Sequence, residues 1–190
     1  LAFGITTANA AFGTTGNPYD PKRFAGGSSG GSAAVVAARM APGSLGADTG
    51  GSMRIPPAVC GIVGLRPTLG RYPGGGVAPI SYTFDTTGPM ARSVSDVAML
   101  DQIIAGGAPI KRATLSGLRL GVPRGYFYAG LESETARLTE AALAKLKAAG
   151  VTLVEVDLPG AGDVMGGMTF PIAMHEAMRD LPHYLNASKT

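Results

Sequence analysis

Cysteine is nearly absent from this sequence: Cys60 is the only one among 190 residues, so no disulfide can form within the chain. No stretch near Leu1 combines the basic start, apolar middle and small-residue cleavage site of a secretion signal. A single thiol without such a signal predicts a protein of the reducing cytoplasm.

Charged side chains and long apolar runs are also scarce. Asp, Glu, Lys and Arg make up 15% of the residues, and the formal charge of +3 is spread along the chain instead of forming a basic stripe. Because phosphate backbones require clustered basic groups, the composition argues against a nucleic-acid partner. The longest apolar run, residues 33–40, is broken by Arg39 and falls far short of a membrane span, so we expect no membrane partner.

The sequence is rich in hydrophobic residues, at 45%, and in glycine, with 29 residues that lie mostly in the first 90 positions. This length and composition are typical of one globular core. No helical period persists for long in the glycine-rich part. We therefore expect the chemistry to lie there.

Local patterns predict an alternation of helices and strands. Helices are predicted at residues 32–40, 93–105, 132–149 and 170–185, and strands at 44–47, 61–65, 118–123 and 151–156. Ser32 and Ser93 are expected to cap two of the helices. Pro56 and Pro57 are expected to end a short helix that begins at Ser52. A turn is predicted at 17–23, a loop at 70–79 and a flexible connector at 160–168. Strands separated by helices imply an α/β fold.

Two glycine-rich turns, each carrying a serine, stand out. The first serine turn is residues 26–32 (GGSSGGS), which contain Ser28, and the second serine turn is residues 48–54 (DTGGSMR), which contain Ser52. Glycine lets the backbone approach a ligand closely, so N–H groups around such a serine can converge on one oxygen atom. Hydroxyls in this setting indicate acyl-transfer chemistry with an oxyanion site.

The first serine turn also fits two other patterns, both less well. The spacing of Gly26, Ser28 and Gly30 matches a nucleophile elbow, which needs a preceding strand and a later histidine. The residues before it are predicted as a turn, and both histidines, His175 and His183, fall on a predicted surface helix. A phosphate-binding loop would need a Gly-Lys-Ser or Gly-Lys-Thr sequence, which this turn lacks.

Taken together, the two turns and their surroundings resemble the amidase signature family. The resemblance is carried by residues 26–34 (GGSSGGSAA), 46–57 (GADTGGSMRIPP), 60–68 (CGIVGLRPT) and 85–96 (DTTGPMARSVSD). It implies an α/β fold with the mixed sheet of the amidase signature proteins, flanked by helices on both faces, here as an incomplete core. We expect one core over residues 1–190, with the motifs in 1–106 and further helices and strands in 107–190.

The resemblance implies a Ser-Ser-Lys mechanism, and two of the three residues have counterparts here. Ser52 matches the nucleophile, and Ser28 matches the bridging serine, which the family holds through a cis peptide bond to the preceding residue. The lysine acts as the base, which is needed because a serine hydroxyl is a poor nucleophile. Ser28 would accept a proton from Ser52 while it passes its own to the lysine. The family's oxyanion donors match the N–H groups of Thr49, Gly50, Gly51 and Ser52.

Other residues near the turns are expected to support them. Asp48 and Arg54 are expected to fix the second serine turn, by a buried ion pair or by hydrogen bonds to loop carbonyls, and not to transfer protons. Ser29 is expected to hydrogen-bond the relay. Cys60 lies in an apolar stretch without a neighbouring base, so we expect it to pack inertly.

The family's lysine has no counterpart in the sequence. In the family it lies on a strand well upstream of the first serine turn, whereas this sequence starts at Leu1. The lysines present are Lys22, Lys111, Lys145, Lys147 and Lys189, none of which is a credible substitute. We therefore expect a core piece, truncated at both ends, in which residues 1–190 alone show little or no amidase turnover.

The loop after the second serine turn indicates which amide is cleaved. Residues 71–82 and 84–86 resemble the branch of mandelamide and indoleacetamide hydrolases, which convert primary arylacetamides to the acid and ammonia. Val77, Ile80 and Tyr82 could equally face an aromatic ring or pack in the core or a lid. The expected partner is a small amide substrate. The resemblance implies no metal or organic cofactor and leaves a homodimer open.

Two alternatives remain at this stage. The amidotransferase subunit that supplies ammonia to misacylated tRNA shares the serine turns but works inside a complex, so it predicts copurifying subunits and ammonia release from glutamine. A non-catalytic module would keep the turns only as a ligand site, which the missing lysine allows.

Overall fold

The computed structural model describes residues 3–107, 110 and 112–187. The chain divides into two compact units: the first comprises Leu1–Ile110 and Phe170–Thr190, and the second comprises Lys111–Thr169. The predicted division after residue 106 falls close to the first boundary, but the last helix belongs to the first unit. That the whole chain forms one core stays a prediction.

The first unit holds both serine turns. Its elements in chain order are β1 (Ala8–Asn9), β2 (Gly13–Thr14), β3 (Gly16–Asn17), β4 (Asp20–Phe24), α1 (Gly30–Ala37), β5 (Gly43–Asp48), α2 (Ile55–Cys60), β6 (Val63–Gly64), β7 (Thr86–Ala91), α3 (Val94–Ala105) and, after the second unit, the last helix, Phe170–Ala187.

Two short hairpins precede the first serine turn. Strand β1 pairs with β2, and β3 pairs with β4, both antiparallel. The prediction of a turn at residues 17–23 is therefore wrong for most of that segment. Asn17 faces Asp20 across a tight turn, and Pro21 is tolerated in β4 because this two-stranded sheet leaves edges on which a missing N–H costs no ladder bond.

A three-stranded antiparallel sheet of order β5-β7-β6 lies next to the second serine turn. Strand β5 runs into that turn, as the predicted strand at 44–47 implied, and β6 lies within the predicted strand at 61–65. The central strand, β7, was not predicted. It pairs with β5 from Gly43 opposite Ala91 to Asp48 opposite Thr86.

The helices that flank the serine turns begin at other residues than predicted. Helix α1 starts at Gly30, so Ser32 lies inside it and is not its cap, while Ser29 occupies the cap position without a capping bond from its side chain. Helix α2 starts at Ile55, so the prediction that Pro56 and Pro57 end a helix is wrong. Proline suits the first helical turn because its missing N–H would have no partner there.

Helix α3 agrees with its predicted signals. The Ser93 side chain accepts a hydrogen bond from the N–H of Asp96, and Gly106 ends the helix with a positive φ. The last helix was predicted at 170–185 and extends to Ala187. Within the described residues, we find no helix whose length and apolar character would let it cross a bilayer.

The hydrophobic core of the first unit lies directly beneath the serine turns. Ala25, Ala33, Met53 and Cys60 come from the serine turns or the segments next to them, and Met90 comes from β7. The residue after Ser52 and the residue before Gly26 are therefore both anchored in one core.

The second unit is a parallel strand pair with a crossover helix. Strands β8 (Arg119–Val122) and β9 (Thr152–Glu155) pair in parallel, and α4 (Arg124–Phe127) and α5 (Ser133–Ala148) lie between them in sequence. Helix α6 (Ala161–Val164) and a π-helical turn, Met165–Thr169, follow β9, so the predicted flexible connector at 160–168 is wrong. The last helix is α7 (Phe170–Ala187). Helices, an antiparallel sheet and a parallel pair agree with the predicted α/β class.

Candidate active site

The first serine turn connects β4 to α1. Ser28 and Ser29 are half-buried, and the peptide bond between Gly27 and Ser28 is cis, as the family resemblance implied. Gly26 packs so closely on α2 that a Cβ atom there would lie 2.8 Å from the Cα atom of Pro56. One end of the first turn thus rests on the helix that follows the second turn.

The other end of the first turn is bonded to the strand that precedes the second turn. The Ser29 hydroxyl donates to the Ala47 carbonyl at 3.1 Å and accepts from the Ala47 N–H at 3.2 Å. A Cβ atom at Gly46 would lie 2.7 Å from the Ser29 Oγ atom, so the Ser29 side chain packs directly on the backbone of β5. The structure therefore packs together the segments that carry Ser28 and Ser52, although they are far apart in sequence.

The second serine turn is organised around the carboxylate of Asp48, which has no solvent exposure. Its Oδ1 atom accepts the N–H of Gly51 at 2.9 Å, and its Oδ2 atom accepts the N–H of Met53 at 3.0 Å. Arg54 binds both oxygens, through Nε and Nη2, at 3.0 Å each. Asp48 and Arg54 thus form an ion pair inside the turn.

A second arginine, Arg66, also reaches Asp48, and no local signal in the sequence points to it. Its Nη1 atom donates to Asp48 Oδ1 at 2.9 Å and to the Asp48 carbonyl oxygen, while Nη2 donates to the Phe84 carbonyl at 2.8 Å. Arg66 therefore ties the start of the second serine turn to the end of the long loop between β6 and β7.

Burial and hydrogen bonding act in opposite directions on the pKa of Asp48. Burial raises it, whereas the bonds from Arg54 and from the Met53 N–H, with the charges of Arg54 and Arg66, lower it by more. The net pKa of Asp48 lies below its ordinary value, so the carboxylate stays ionised at neutral pH. A permanently charged group that bonds its own loop suits a supporting role better than proton transfer.

The N–H groups of the second serine turn fall into two sets. That of Gly51 is bonded to Asp48 in this structure. Those of Thr49, Gly50 and Ser52 have no acceptor among the residues that the structure describes. Three unbonded donors in consecutive or near-consecutive positions, one of them on Ser52 itself, are what an oxyanion site requires. That Thr49, Gly50, Gly51 and Ser52 act as oxyanion donors stays a prediction.

Asp85 connects the second serine turn to the long loop. The Thr49 hydroxyl donates to Asp85 Oδ1 at 2.5 Å, and the N–H groups of Ile80 and Ser81 donate to Asp85 Oδ2 at 2.7 and 2.9 Å. The resemblance covers this aspartate, but sequence reasoning gave it no role.

A pocket of about 250 Å³ opens beside Asp85. Its lining is mostly apolar or uncharged: Ala47, Leu69, Gly70, Tyr72, Gly74, Val77, Pro79, Tyr82, Asp85, Thr86 and Thr87. Of the three loop residues proposed to face a substrate ring, Val77 and Tyr82 line this pocket and Ile80 does not. The pocket adjoins the second serine turn, because Asp85 binds Thr49 and Ala47 precedes Asp48.

Two buried carboxylates hold the walls of this pocket. Asp101 of α3 binds Arg71 through both oxygens, at 2.7 and 2.6 Å, and accepts the Tyr72 hydroxyl at 2.6 Å. Glu176 of α7 accepts the Ser81 hydroxyl, the Thr83 N–H at 3.1 Å and the Thr83 hydroxyl at 2.7 Å. The loop is therefore anchored to two helices.

No lysine in the described part of the chain lies in this site. Lys22 is exposed on β4, and Lys145 and Lys147 are exposed on α5. Lys111 and Lys189 lie outside the described residues. The structure therefore offers no partner for Ser28 among the three lysines it describes.

The two histidines and the cysteine do not form part of the candidate site. His175 and His183 are exposed on α7. Cys60 is buried in the core, where its thiol faces the Ala25 carbonyl and burial raises its pKa. Within the described residues, no cluster of three or more His, Cys, Asp or Glu side chains could hold a metal ion.

Comparison with known proteins identifies the family. The family profile described as Amidase matches residues 1–189. The chain belongs to the amidase family. A solved amidase crystal structure, 37% identical, superimposes over 98% of this chain and 42% of its own with a TM-score of 0.87, so the predicted fold class is confirmed.

Relatives within the amidase family carry three kinds of name. The indoleacetamide hydrolase of Agrobacterium vitis is 48% identical over 98% of this chain, and the mandelamide hydrolase of Pseudomonas putida is 44% identical over 100% of it. A glutamyl-tRNA(Gln) amidotransferase subunit from Chloroflexus aggregans is 44% identical over 84%. The chain spans 40%, 38% and 36% of the length of these three relatives.

Proposed function

We propose that this chain carries the nucleophile, the bridging serine and the oxyanion donors of an amidase. Ser52 forms the acyl-enzyme and Ser28 relays protons. The observation that carries the proposal is the packing of the two serine turns through Ser29 and Ala47, with unbonded N–H groups on both sides of Gly51. Family membership supports the same roles.

In this mechanism the Ser52 hydroxyl attacks the amide carbon and gives its proton to Ser28. Ser28 passes its own proton to a neutral lysine, and the negative charge on the carbonyl oxygen is stabilised by the free N–H groups of the second serine turn. Loss of one such donor typically costs about 3 kcal/mol of transition-state stabilisation. The leaving amine regains a proton through the same relay, and water then cleaves the Ser52 ester.

We further propose that the lysine lies outside these 190 residues and that they alone turn over little substrate. The exposed positions of Lys22, Lys145 and Lys147 support this, since a base must reach Ser28 within hydrogen-bond distance. Robust turnover by purified residues 1–190 would contradict it.

The proposed substrate is a neutral primary amide with an apolar, aromatic acyl group. Asp85 is the only charged side chain in the described lining of the pocket, and it would repel a substrate that carries a carboxylate. An arylacetamide satisfies this requirement, and its hydrolysis gives the acid and ammonia. The names of the two hydrolase relatives support the same class.

Release of ammonia from glutamine, as an amidotransferase component, is the second candidate. The match to the Chloroflexus relative over 84% of the chain favours it. Glutamine carries an α-ammonium group, which Asp85 would attract, but also an α-carboxylate, for which the pocket lining includes no lysine or arginine among the described residues. We therefore place it second.

The test uses the full-length gene product. A fluorophosphonate should label the protein, Ser52→Ala should abolish the labelling, and Ser95→Ala, an exposed serine of α3, should retain it. Ammonia release should be faster from an arylacetamide than from glutamine. Labelling that persists in Ser52→Ala would refute the role of Ser52 as nucleophile. A parent protein that is not labelled and shows no turnover would favour a non-catalytic module.

We also propose a cellular compartment for the protein. A cytoplasmic location suits a chain whose single thiol is buried at Cys60. The homodimer stays a prediction.

A further inference from the structure

Asp85 lies where the long loop between β6 and β7, called the pocket loop below, meets the second serine turn. One of its oxygens binds the Thr49 hydroxyl at 2.5 Å, and the other binds the N–H groups of Ile80 and Ser81. The same side chain also lines the pocket. A single half-buried carboxylate therefore contacts the second serine turn and also lines the pocket.

Thr49 and Gly50, in the second serine turn, have few other restraints. Asp48 binds the N–H groups of Gly51 and Met53, and these bonds restrain the later part of the turn. Gly50 is exposed, and a Cβ atom at this position would have no neighbour within 4 Å. Among the described residues, the bond from Thr49 to Asp85 is the one hydrogen bond that Thr49 and Gly50 make.

The N–H groups of Thr49 and Gly50 are two of the three unbonded donors in the turn. An oxyanion donor acts only if it is already aimed at the position where the charge develops, because reorientation during the reaction would cost free energy. A glycine-rich segment has many accessible backbone conformations. Something must therefore restrict the peptide planes around Thr49, and the Asp85 carboxylate is the group in contact with it.

We infer that Asp85 is a positioning residue: by binding the Thr49 hydroxyl it orients the oxyanion donors of Thr49 and Gly50 relative to the pocket that holds the acyl group. This inference rests on the proposed amidase function. Asp85 does not transfer protons in this role. It acts through Thr49, and its other oxygen binds the N–H groups of Ile80 and Ser81 and so holds the pocket loop next to the turn.

The expected signature is a loss in kcat without a matching change in KM. Asp85→Ala removes both accepting oxygens, so the Thr49 hydroxyl and the N–H groups of Ile80 and Ser81 lose their acceptor. Because the oxyanion donors are misdirected and not deleted, we expect kcat to fall roughly 10- to 100-fold, less than the loss on deletion of a donor. In Thr49→Val, KM for the amide should change by less than about threefold, since the bonds from Asp85 to Ile80 and Ser81 stay in place.

The experiment is a double-mutant cycle in the full-length gene product. The variants are Asp85→Ala, Thr49→Val and the double variant, with Thr49→Ser to restore the hydroxyl and Asp163→Ala as a matched control at an exposed carboxylate of α6. Steady-state kinetics with an arylacetamide are measured beside inhibition by the corresponding aldehyde, which forms a tetrahedral adduct with serine. Thermal melting verifies that each variant is folded.

If Asp85 acts through Thr49, kcat of the double variant should lie within about twofold of that of the less active single variant, because both changes remove the same bond. Thr49→Ser should recover most of the kcat lost in Thr49→Val, and aldehyde affinity should fall with kcat. Fully multiplicative losses, an unchanged kcat in Asp85→Ala, or a loss confined to KM would each overturn the inference. Absence of amide turnover and of Ser52 labelling in the parent protein would instead refute the proposed function.

Discussion

Removal of the Asp48 charge should destabilise the first unit more than any other single isosteric change in the second serine turn. Five N–H groups reach this carboxylate: two from Arg54, one from Arg66 and those of Gly51 and Met53. Asp48→Asn keeps the shape of the side chain but leaves both arginines without a counter-charge and points an NH2 group at one or more donors.

The magnitude follows from burial. Asp48 is completely buried, and the side chains of Arg66 and Arg54 are 27% and 55% exposed, so Arg66 is the partner that solvent compensates less. Loss of one partner of a buried pair typically costs about 3–5 kcal/mol, a large part of the 5–15 kcal/mol of a typical domain. We expect Asp48→Asn to lower the free energy of unfolding by about 3 kcal/mol or more. Arg66→Met should cost more than Arg54→Met.

Urea unfolding of the full-length gene product and its variants measures this, with Asp163→Asn as the control for loss of an exposed carboxylate. The pH dependence adds a second test. Because the folded pKa of Asp48 lies below its unfolded value of about 3.9, the contribution is present above that value and is lost as the pH falls through the folded pKa. Asp48→Asn should therefore show a smaller loss of stability in acid. A cost below about 1 kcal/mol, or a larger effect at Arg54 than at Arg66, would contradict the buried-pair argument.

Two further predictions concern buried groups of the first unit. Burial and the bond to Asp101 raise the pKa of Tyr72 to about 12. Since an unfolded tyrosine titrates near 10, stability should be full below about pH 10 and fall as the pH rises towards 12, and Tyr72→Phe should flatten this loss in melting curves; an unchanged alkaline slope would count against it. Cys60 should react with a thiol reagent such as Ellman's reagent only after unfolding in urea, because it is buried and its pKa is raised. Rapid reaction of the native protein would show that the core opens there.

Signals carried by neighbouring residues allowed sequence reasoning to find α3 and the serine turns. Ser93 and Asp96 lie within one helical turn, so their contact follows from spacing alone. Other side chains that fix the site have partners far along the chain. Arg66 lies 18 residues from Asp48, and Glu176 lies 95 residues from Ser81. A single sequence gives no distance between such pairs.

Strand β7 shows why local signals also mislead. Gly88 and Pro89 are turn formers by propensity, yet both lie in the central strand of the sheet. A Cβ atom at Gly88 would collide with the Leu65 carbonyl, so the crowding of the strands requires glycine there. Pro89 lies opposite Leu45 and still contributes to the sheet through its carbonyl, which accepts the Leu65 N–H. Tertiary packing therefore overrides propensity.

The close approaches at Gly26 and Gly46 have a consequence for how this site can vary. At both positions main chain meets a neighbouring segment with no space for a methyl group. Alanine at Gly26 would have to displace the backbone of Pro56, and alanine at Gly46 would have to displace the side chains of Ser29 and Met53. Protein engineering around this centre therefore has to respect the size of these two residues as well as the chemistry of the serines.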